Sequence, residues 1–307
     1  MNAKKANWLF LVIVASHAGL SLLVSYTHLL DAVLENIVLN IIVSEITIWL
    51  PAVLFLLATG TRPGAFCRLK RVHISTALMT VLFTLLMEPL VTVVNALSLL
   101  FTDNVVAGMS GQMVSMPLWG MLLGIAVYAP FSEELAFRGT IYQSYRQQGS
   151  GLKAILLSSL LFGLMHMNLN QAGYAFLLGI VLALLVEATG SMIPAFIAHF
   201  SVNGLSTVLM FAMNGLADGG MEELVAETES SLGAQEIWLV ISVYVLLASF
   251  CTPLAGCVLA WIAGWEGYKE DMKALWRSRR EKGGRLMSIP LVLGILICVA
   301  VIVIQIV

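Results

Sequence analysis

Residues 132–138 read SEELAFR, and this stretch follows a run without a single charged residue, residues 113–131. Taking a carboxylate out of water is costly unless it is paired, hydrogen-bonded or used in chemistry. Glu134 and Arg138 are four residues apart, so they share one face of a helix and can form an ion pair. Glu133 is rotated by about 100° from Glu134 and can point elsewhere. The stretch therefore predicts a polar site inside an apolar part of the molecule.

The composition around this stretch is that of a membrane protein. Of the 307 residues, 59% are hydrophobic and 11% are charged, whereas a soluble domain carries about 25% charged residues. The apolar residues come in blocks of roughly 20 or more, the length that crosses a bilayer core. No alternating strands typical of a membrane barrel are visible in the sequence. We predict an all-α polytopic membrane protein with about nine transmembrane helices.

The distribution of basic residues indicates how these helices are oriented. The predicted spans are approximately 8–29, 37–59, 74–101, 114–135, 152–169, 172–189, 192–213, 237–263 and 289–306. With these spans, all 16 Lys and Arg fall on one side of the membrane, and the opposite loops carry Asp31, Glu35, Asp103 and an acidic stretch, residues 218–229. Because cytosolic loops carry an excess of Lys and Arg, we expect a cytosolic N-terminus and a C-terminus outside.

The residues before the two glutamates resemble the start of a helix. Pro130 followed by Ser132 predicts a helix break, with Ser132 as the N-cap of a new helix. Both glutamates would then lie in its first turn, where the helix dipole favours carboxylates. These residues could form part of a functional site. The alternative interpretation is that they only cap the start of a helix at a membrane edge and have no functional role.

Two histidines farther along the chain also lie inside apolar runs. Phe162 stands one turn before His166, and His199 stands one turn before Asn203 on the same helix face. A lone membrane histidine is more often a packing residue than a catalyst, but these residues accompany the double glutamate on three separate helices. The remaining ionisable residues within spans stand alone, and we expect them to make structural interhelical hydrogen bonds: His17, Glu45, Glu88 and Glu187.

Peptide-cleaving chemistries that operate in membranes can be compared with this set. No histidine is followed by glutamate, so a zinc site of the H-E-x-x-H kind is absent. All four aspartates fall in predicted loops, which excludes a pair of catalytic aspartates. The serine of Gly108–Gly111 has no suitably placed histidine on a neighbouring helix. What remains is a water activated by a glutamate and a histidine.

In that scheme the second histidine and the asparagine supply hydrogen-bond donors to a tetrahedral oxyanion. His199 and Asn203 suit this task because they share one helix face. A metal ion could replace part of the scheme, since Glu133, His166 and His199 are acceptable zinc ligands. The residues alone leave both possibilities open.

Three spaced motifs in this sequence resemble those of a known family. It is the CPBP family (CAAX protease and bacteriocin-processing, also called Abi), which includes the type II CAAX prenyl endopeptidases. The order of the motifs agrees, and the resemblance covers roughly residues 115–210. The motifs are Glu133-Glu134-x-x-x-Arg138, Phe162-x-x-x-His166 and His199-x-x-x-Asn203.

The resemblance implies an intramembrane endopeptidase with a helical core and a polar cavity. By motif position, Glu133 and His166 would activate water. His199 and Asn203 would stabilise the oxyanion. Members of the family have been described both as metalloproteases and as glutamate-dependent peptidases, so zinc or another divalent metal is neither required nor excluded.

The same resemblance implies that Glu134 and Arg138 hold the other site residues in place. It also divides the chain into three parts: N-terminal transmembrane helices without a motif (1–113), a CPBP-like catalytic core (114–213), and an acidic outer loop with two C-terminal transmembrane helices (214–307). The expected partners are the lipid bilayer and a peptide or protein substrate, which could be prenylated or membrane-associated. No nucleic-acid partner is expected.

Two alternatives stay open at this point. One is a non-catalytic or transporting membrane protein whose Glu–His cluster relays protons or binds a ligand. The other is a membrane scaffold that keeps the fold without the activity. Because no mitochondrial targeting or retention signal is visible, we expect the plasma membrane of a bacterium or an archaeon.

Overall fold

The computed structural model describes residues 2–27, 36–217, 220, 233–278 and 284–306. Within these residues the chain is helical and contains no strand. Three one-turn helices, Pro63–Phe66, Val105–Gly108 and Ser110–Val114, lie in the connections. The main helices are α1 (Ala3–Tyr26), α2 (Ile37–Ala58), α3 (Ile74–Ser98), α4 (residues 118–146), α5 (Gly151–Met165), α6 (Leu169–Thr189), α7 (Ile193–Leu216), α8 (Ala234–Trp265), α9 (Lys269–Arg277) and α10 (Ile289–Ile306).

The lengths of these helices agree with a polytopic membrane protein. In the described part of the chain, six helices are long and apolar enough to cross a bilayer: α1, α2, α3, α6, α7 and α8. The helices α5 and α10 are apolar but shorter, and α4 is built from five consecutive helical segments. The all-α polytopic class therefore agrees with the structure, whereas nine crossings and the orientation of the termini stay predictions.

The helix α4 runs without interruption through Pro130, so the predicted helix break is wrong. Its segments are Leu118–Met121, a π-helix Leu122–Tyr128, Ala129–Glu134, a second π-helix Leu135–Ile141, and Tyr142–Arg146. The residues at the four junctions keep right-handed helical backbone angles. Ser132 does not cap a helix, because its hydroxyl donates to the carboxylate of Glu45 and to the Ala129 carbonyl oxygen. The span predicted at 114–135 is therefore part of one helix that continues to residue 146.

This longer helix places Glu133 about as far along α4 from Arg146 as His166 lies along α5 from Lys153. Glu133 lies thirteen residues before Arg146, and His166 lies thirteen residues after Lys153. At 1.5 Å per residue, both are about 20 Å from a basic residue at the start or end of their helices. If α4 had ended at residue 135, Glu133 would have been close to the membrane surface. Arg138, which the sequence analysis placed between the fourth and fifth membrane spans, lies within α4, and its side chain is buried.

The basic segments meet at one end of the bundle. The Tyr145 hydroxyl donates to Asn7 Oδ1 over 2.6 Å, and Asn7 Nδ2 donates to the Leu286 carbonyl oxygen and to Ser288 Oγ, both over 2.7 Å. These bonds join the start of α1, the end of α4 and the start of α10. The predicted segregation of basic residues is therefore visible in the structure for these segments.

The loop after α2 lies at the same end. Ser191 Oγ donates to the Lys70 carbonyl oxygen over 2.6 Å, and the Met192 amide donates to the Arg68 carbonyl oxygen over 3.0 Å. We call residues 4–7, 62–71, 146–153, 268–278 and 284–288 the basic end. Of the opposite, acidic loops predicted from the sequence, Asp31, Glu35, Asp218, Glu222, Glu223, Glu227 and Glu229 lie outside the described residues.

Glycines allow α5 and α6 to pack closely. A Cβ atom on Gly163 would lie 2.5 Å from the Ala172 carbonyl oxygen, and one on Gly179 would lie 2.8 Å from Ser159 Cβ. Small residues at such positions let membrane helices approach each other. Because Gly163 directly follows Phe162, the close contact determines where the last turn of α5 lies.

We expect Gly163→Ala to destabilise the protein by about 1–3 kcal/mol, the usual cost of overpacking. The neighbouring atom belongs to the backbone and cannot move aside like the tip of a side chain. Gly256→Ala in α8 is the matched control, since no atom lies within 4 Å of the added Cβ. Thermal unfolding in detergent measures both, and equal unfolding temperatures for the two variants would contradict the prediction.

Candidate active site

The candidate site lies where α4, α5 and α7 meet. Glu133, Glu134 and Arg138 are on α4, His166 ends α5, and His199 is on α7. Each of these side chains except His166 is buried, and His166 is half-buried. The three motifs therefore occupy one region of the interior, as their order on the chain predicted.

Glu134 joins two of the motifs. Its Oε1 accepts a hydrogen bond from Arg138 Nη1 over 3.0 Å and another from His199 Nδ1 over 3.0 Å. The exposed fractions of the Glu134 and Arg138 side chains are 0% and 2%, and charges buried this deeply need partners. The ion pair predicted from the four-residue spacing is confirmed. Because a carboxylate can only accept hydrogen bonds, we assign a proton to Nδ1 of His199.

Glu133 faces the other edge of the same imidazole. Its Oε2 lies 3.6 Å from His199 Nε2, which is longer than a direct hydrogen bond but within the reach of a bridging water. The two adjacent glutamates thus lie next to the two different ring nitrogens of His199. With Nδ1 donating to Glu134, the lone pair of a neutral His199 is at Nε2, on the Glu133 side.

The ring of Phe162 packs against residues of all three motifs. The guanidinium carbon of Arg138 lies 4.1 Å from the ring centroid, a cation–π distance. The rings of His166 and His199 stand at 90° to it, with centroids 5.1 Å and 5.9 Å away. The ring of Phe137 is a further edge contact at 5.2 Å. The contact of Phe162 with His166 follows from their spacing in the sequence, whereas its contacts with α4 and α7 do not.

His166 is oriented by its own helix. Its Nδ1 donates to the Phe162 carbonyl oxygen over 2.9 Å, which leaves Nε2 as the acceptor of the neutral ring. The next residue, Met167, has a φ of 49°, an uncommon left-handed conformation for a residue with a side chain, and the chain turns there into α6. His166 therefore contacts the other motif residues through the Phe162 ring. The lone pair of its neutral ring is on Nε2.

Asn203 lies one turn beyond His199 but contacts a different group. Its Nδ2 donates to the Ile125 carbonyl oxygen over 3.0 Å. In a π-helix that carbonyl would bond the N–H five residues later, which is Pro130 and has no N–H. Asn203 supplies the missing donor and keeps a second N–H. The structure thus places Asn203 against the backbone of α4.

One residue near Glu133, Glu45, was not predicted to belong to the site. Glu45 on α2 was expected to make an interhelical hydrogen bond unrelated to the site. It does make such a bond, but its partner is Ser132, next to Glu133, and its carboxylate interacts electrostatically with that of Glu133. The position of Glu45 in an apolar run was a signal, but its distance from α4 was not contained in the sequence.

The other ionisable residues within the predicted spans lie elsewhere. His17 Nδ1 is 3.0 Å from Thr47 Oγ1, a bond between α1 and α2. Glu187 accepts hydrogen bonds from Tyr142 and Arg146 near the basic end. Glu88 is half-buried in α3, which continues through Pro89 as one helix. The hydrogen bonds of His17 and Glu187 are of the interhelical kind expected from their isolation in the sequence.

The predicted zinc ligands do not form a three-ligand centre. In the described part of the chain, no three His, Cys, Asp or Glu side chains are grouped so that they could hold a metal ion. Both ring nitrogens of His199 face carboxylates, and Nδ1 of His166 is bonded to the backbone. The arrangement of these three side chains therefore does not fit such a centre.

Comparison with known families agrees with the motifs. The family model of the Rce1-like type II CAAX prenyl endopeptidases matches residues 115–205, a segment that contains all six candidate residues and runs from the start of α4 into α7. No curated protein and no solved structure matches the chain. The family match supports the assignment of this multi-pass membrane protein to the CPBP family of CAAX proteases.

Proposed function

We propose that this protein is an intramembrane endopeptidase that hydrolyses a peptide bond with a water activated by Glu133 and His166. One observation carries the proposal. Glu134 binds Arg138 and the Nδ1 side of His199, while Glu133 stands 3.6 Å from the opposite nitrogen of that ring. Such an arrangement of carboxylates and an imidazole can hold, move and return a proton.

Glu133 is the carboxylate best suited to act as the base. Glu134 is already engaged by a guanidinium and an imidazole, so its negative charge is compensated. Glu133 takes a proton from the water, whose oxygen attacks the carbonyl carbon of the peptide. The neutral Nε2 of His166 accepts a hydrogen bond from the same water and orients it. Glu133 then gives the proton to the departing amine, which completes the cleavage.

His199 and Asn203 suit the developing oxyanion. After Glu133 has taken the proton of the water, it can pass that proton to His199 Nε2, which lies 3.6 Å away. The N–H formed in this way donates to the oxyanion, and the proton returns to Glu133 before it reaches the departing amine. The Asn203 amide is held by the Ile125 carbonyl oxygen, so its second N–H is oriented before the substrate arrives. Donors that need no reorganisation stabilise a transition state well, and loss of one typically costs about 10²–10³-fold in rate.

The substrate class follows from the location of the cluster. The acid, the imidazoles and the amide lie among apolar helices, so we expect a peptide or protein that is itself held at the membrane. The family match adds prenylated CAAX peptides as the first class to test, with peptide processing as the second. We place the protein in the plasma membrane of a bacterium or an archaeon.

The proposal is tested with purified protein in lipid nanodiscs and a peptide library that contains prenylated and unprenylated CAAX sequences. Mass spectrometry of the new peptide ends reports cleavage. We expect His166→Ala to reduce the rate by about 10²–10⁴-fold, the usual contribution of an acid–base group. His73→Ala is the control, because His73 is exposed at the edge of the basic end and bonds Glu266.

Equal rates for the wild type and His166→Ala would contradict the proposed role of His166. A parallel reaction with a strong chelator tests metal dependence, and loss of cleavage that zinc restores would assign water activation to a metal. No cleavage of any peptide, together with proton flux across proteoliposomes, would favour the proton-relay alternative.

A further inference from the structure

Two adjoining cavities open at the basic end, away from the candidate active site. The larger has a volume of about 360 Å³, and no Asp or Glu lines it. The smaller, of about 190 Å³, shares Arg68 and Arg146 with it and also contains Glu187 and Asp271. The larger cavity is lined by Ala65, Phe66, Arg68, Gln143, Arg146 and Gln147.

One buried carboxylate positions both arginines of the larger cavity. Arg146 Nε donates to Glu187 Oε1 over 3.0 Å, and Arg68 Nη1 lies 4.0 Å from the same oxygen. Two guanidinium groups therefore share one negative charge, and one positive charge is left over. Burial is the largest single influence and opposes the charge on Arg146, but the hydrogen bond and the charge of Glu187, together with Tyr142, outweigh it and raise the pKa of Arg146. Both side chains are partly exposed, and each guanidinium has further N–H donors.

The backbone at Arg68 is held in an unusual conformation. Its φ is 54°, in the left-handed region that residues with side chains rarely adopt. The Met192 amide bonds the Arg68 carbonyl oxygen, and Ser191 Oγ bonds that of Lys70. Strained conformations persist where surrounding contacts over-determine them, and they are common at binding sites. The position of Arg68 at the cavity is therefore built into the fold.

We propose that the larger cavity binds a phosphate group, supplied by the headgroup of an anionic phospholipid in the leaflet at the basic end. Guanidinium groups match the geometry of phosphate oxygens. Basic pockets between membrane helices commonly bind phosphorylated headgroups. Gln147 adds an amide donor, and Gln143 keeps one N–H besides the bond that its Nε2 makes to the Arg138 carbonyl oxygen over 3.1 Å. Ala65 and Phe66 form an apolar wall beside them for the carbon atoms of a lipid.

The cavity is separate from the proposed peptidase site. Arg146 lies thirteen residues after Glu133 on one continuous helix, which corresponds to about 20 Å. A bound headgroup would contact the loop after α2 and the end of α4, and through Glu187 it would be coupled to α6. It would stabilise the basic end without occupying the site of cleavage.

The test compares lipid binding by native mass spectrometry of the full-length protein. We expect the wild type to retain phosphatidylglycerol in preference to phosphatidylcholine with the same acyl chains. Arg68→Gln is expected to weaken phosphatidylglycerol binding by about 10-fold or more, which corresponds to about 1.4 kcal/mol. Arg71→Gln is the matched control, an exposed arginine of the same loop that does not line the cavity. Circular dichroism checks that both variants fold.

Competition identifies the source of the phosphate. Displacement of phosphatidylglycerol by millimolar inorganic phosphate would show that the site recognises phosphate itself, and resistance to it would show recognition of the whole headgroup; both support the proposal. Equal retention of the two lipids by the wild type overturns it, and this measurement does not depend on how the variants fold. Equal phosphatidylglycerol affinity in Arg68→Gln and Arg71→Gln also overturns it, as does binding of an acidic peptide in place of the lipid.

Discussion

Glu133→Gln is expected to lower kcat/KM for peptide cleavage by about 10²–10⁴-fold, the range for removal of a general base. Glutamine has nearly the same shape as glutamate and can still hydrogen-bond, but it cannot take a proton from water. Since substrate contacts are unchanged, most of the loss should be in kcat. Steady-state kinetics with the best peptide of the library measures both constants.

Glu88→Gln provides the matched control for this prediction. It makes the same chemical change in a half-buried glutamate of α3, outside the group of residues that surrounds His199. We expect its kcat/KM to remain close to that of the wild type. A Glu133→Gln variant that cleaves at the wild-type rate would show that Glu133 has a structural role only, and the proposed mechanism would then be wrong.

Glu134→Ala is expected to destabilise the protein by about 3–5 kcal/mol, because it leaves a buried guanidinium without its counter-charge. Arg138 is 2% exposed, so water cannot replace the carboxylate. Its Nη2 already has no hydrogen-bond partner among the described residues. The variant also frees His199 Nδ1, so activity should fall together with stability. Thermal unfolding in detergent, followed by circular dichroism, measures the change.

The double variant Glu134→Leu with Arg138→Met tests whether the loss of stability comes from the unpaired charge of Arg138. Replacing both members of a buried ion pair with apolar residues is often nearly neutral for stability, so the double variant should unfold at a higher temperature than Glu134→Ala while remaining inactive. Glu270→Ala is the surface control, because Glu270 forms an exposed pair with Lys273 on α9. If Glu134→Ala unfolds at the wild-type temperature, the pair does not contribute to the stability of the core.

Residue spacing along the chain predicted the features that depend on one helix alone. The ion pair of Glu134 and Arg138 follows from their four-residue separation, because 3.6 residues per turn place them on one face. The same reasoning placed Phe162 beside His166. The helical class follows from long apolar blocks, since a bilayer requires every backbone group to be bonded within its own segment.

The path of α4 could not be predicted from spacing. Pro130 signals a helix break in most sequences. Here the helix continues with a π-helical segment on each side of Ala129–Glu134, and the Asn203 amide donates to the Ile125 carbonyl oxygen in place of the N–H that proline lacks. The donor comes from a residue more than seventy positions away. The N-cap predicted at Ser132 was wrong for the same reason, because the helix does not end before it.

Contacts between helices have a different origin from contacts within them. The amino-acid pattern predicts which side chains share a face of α4, α5 or α7, because the position of a side chain around a helix depends on local helical geometry. It does not state that Glu45 of α2 reaches Ser132, or that one Phe162 ring touches Arg138, His166 and His199. Those contacts depend on how closely the helices cross. The distance between helices depends in turn on small residues such as Gly163 and on the π-helical segments of α4, and their effect on it is determined only when the whole bundle packs.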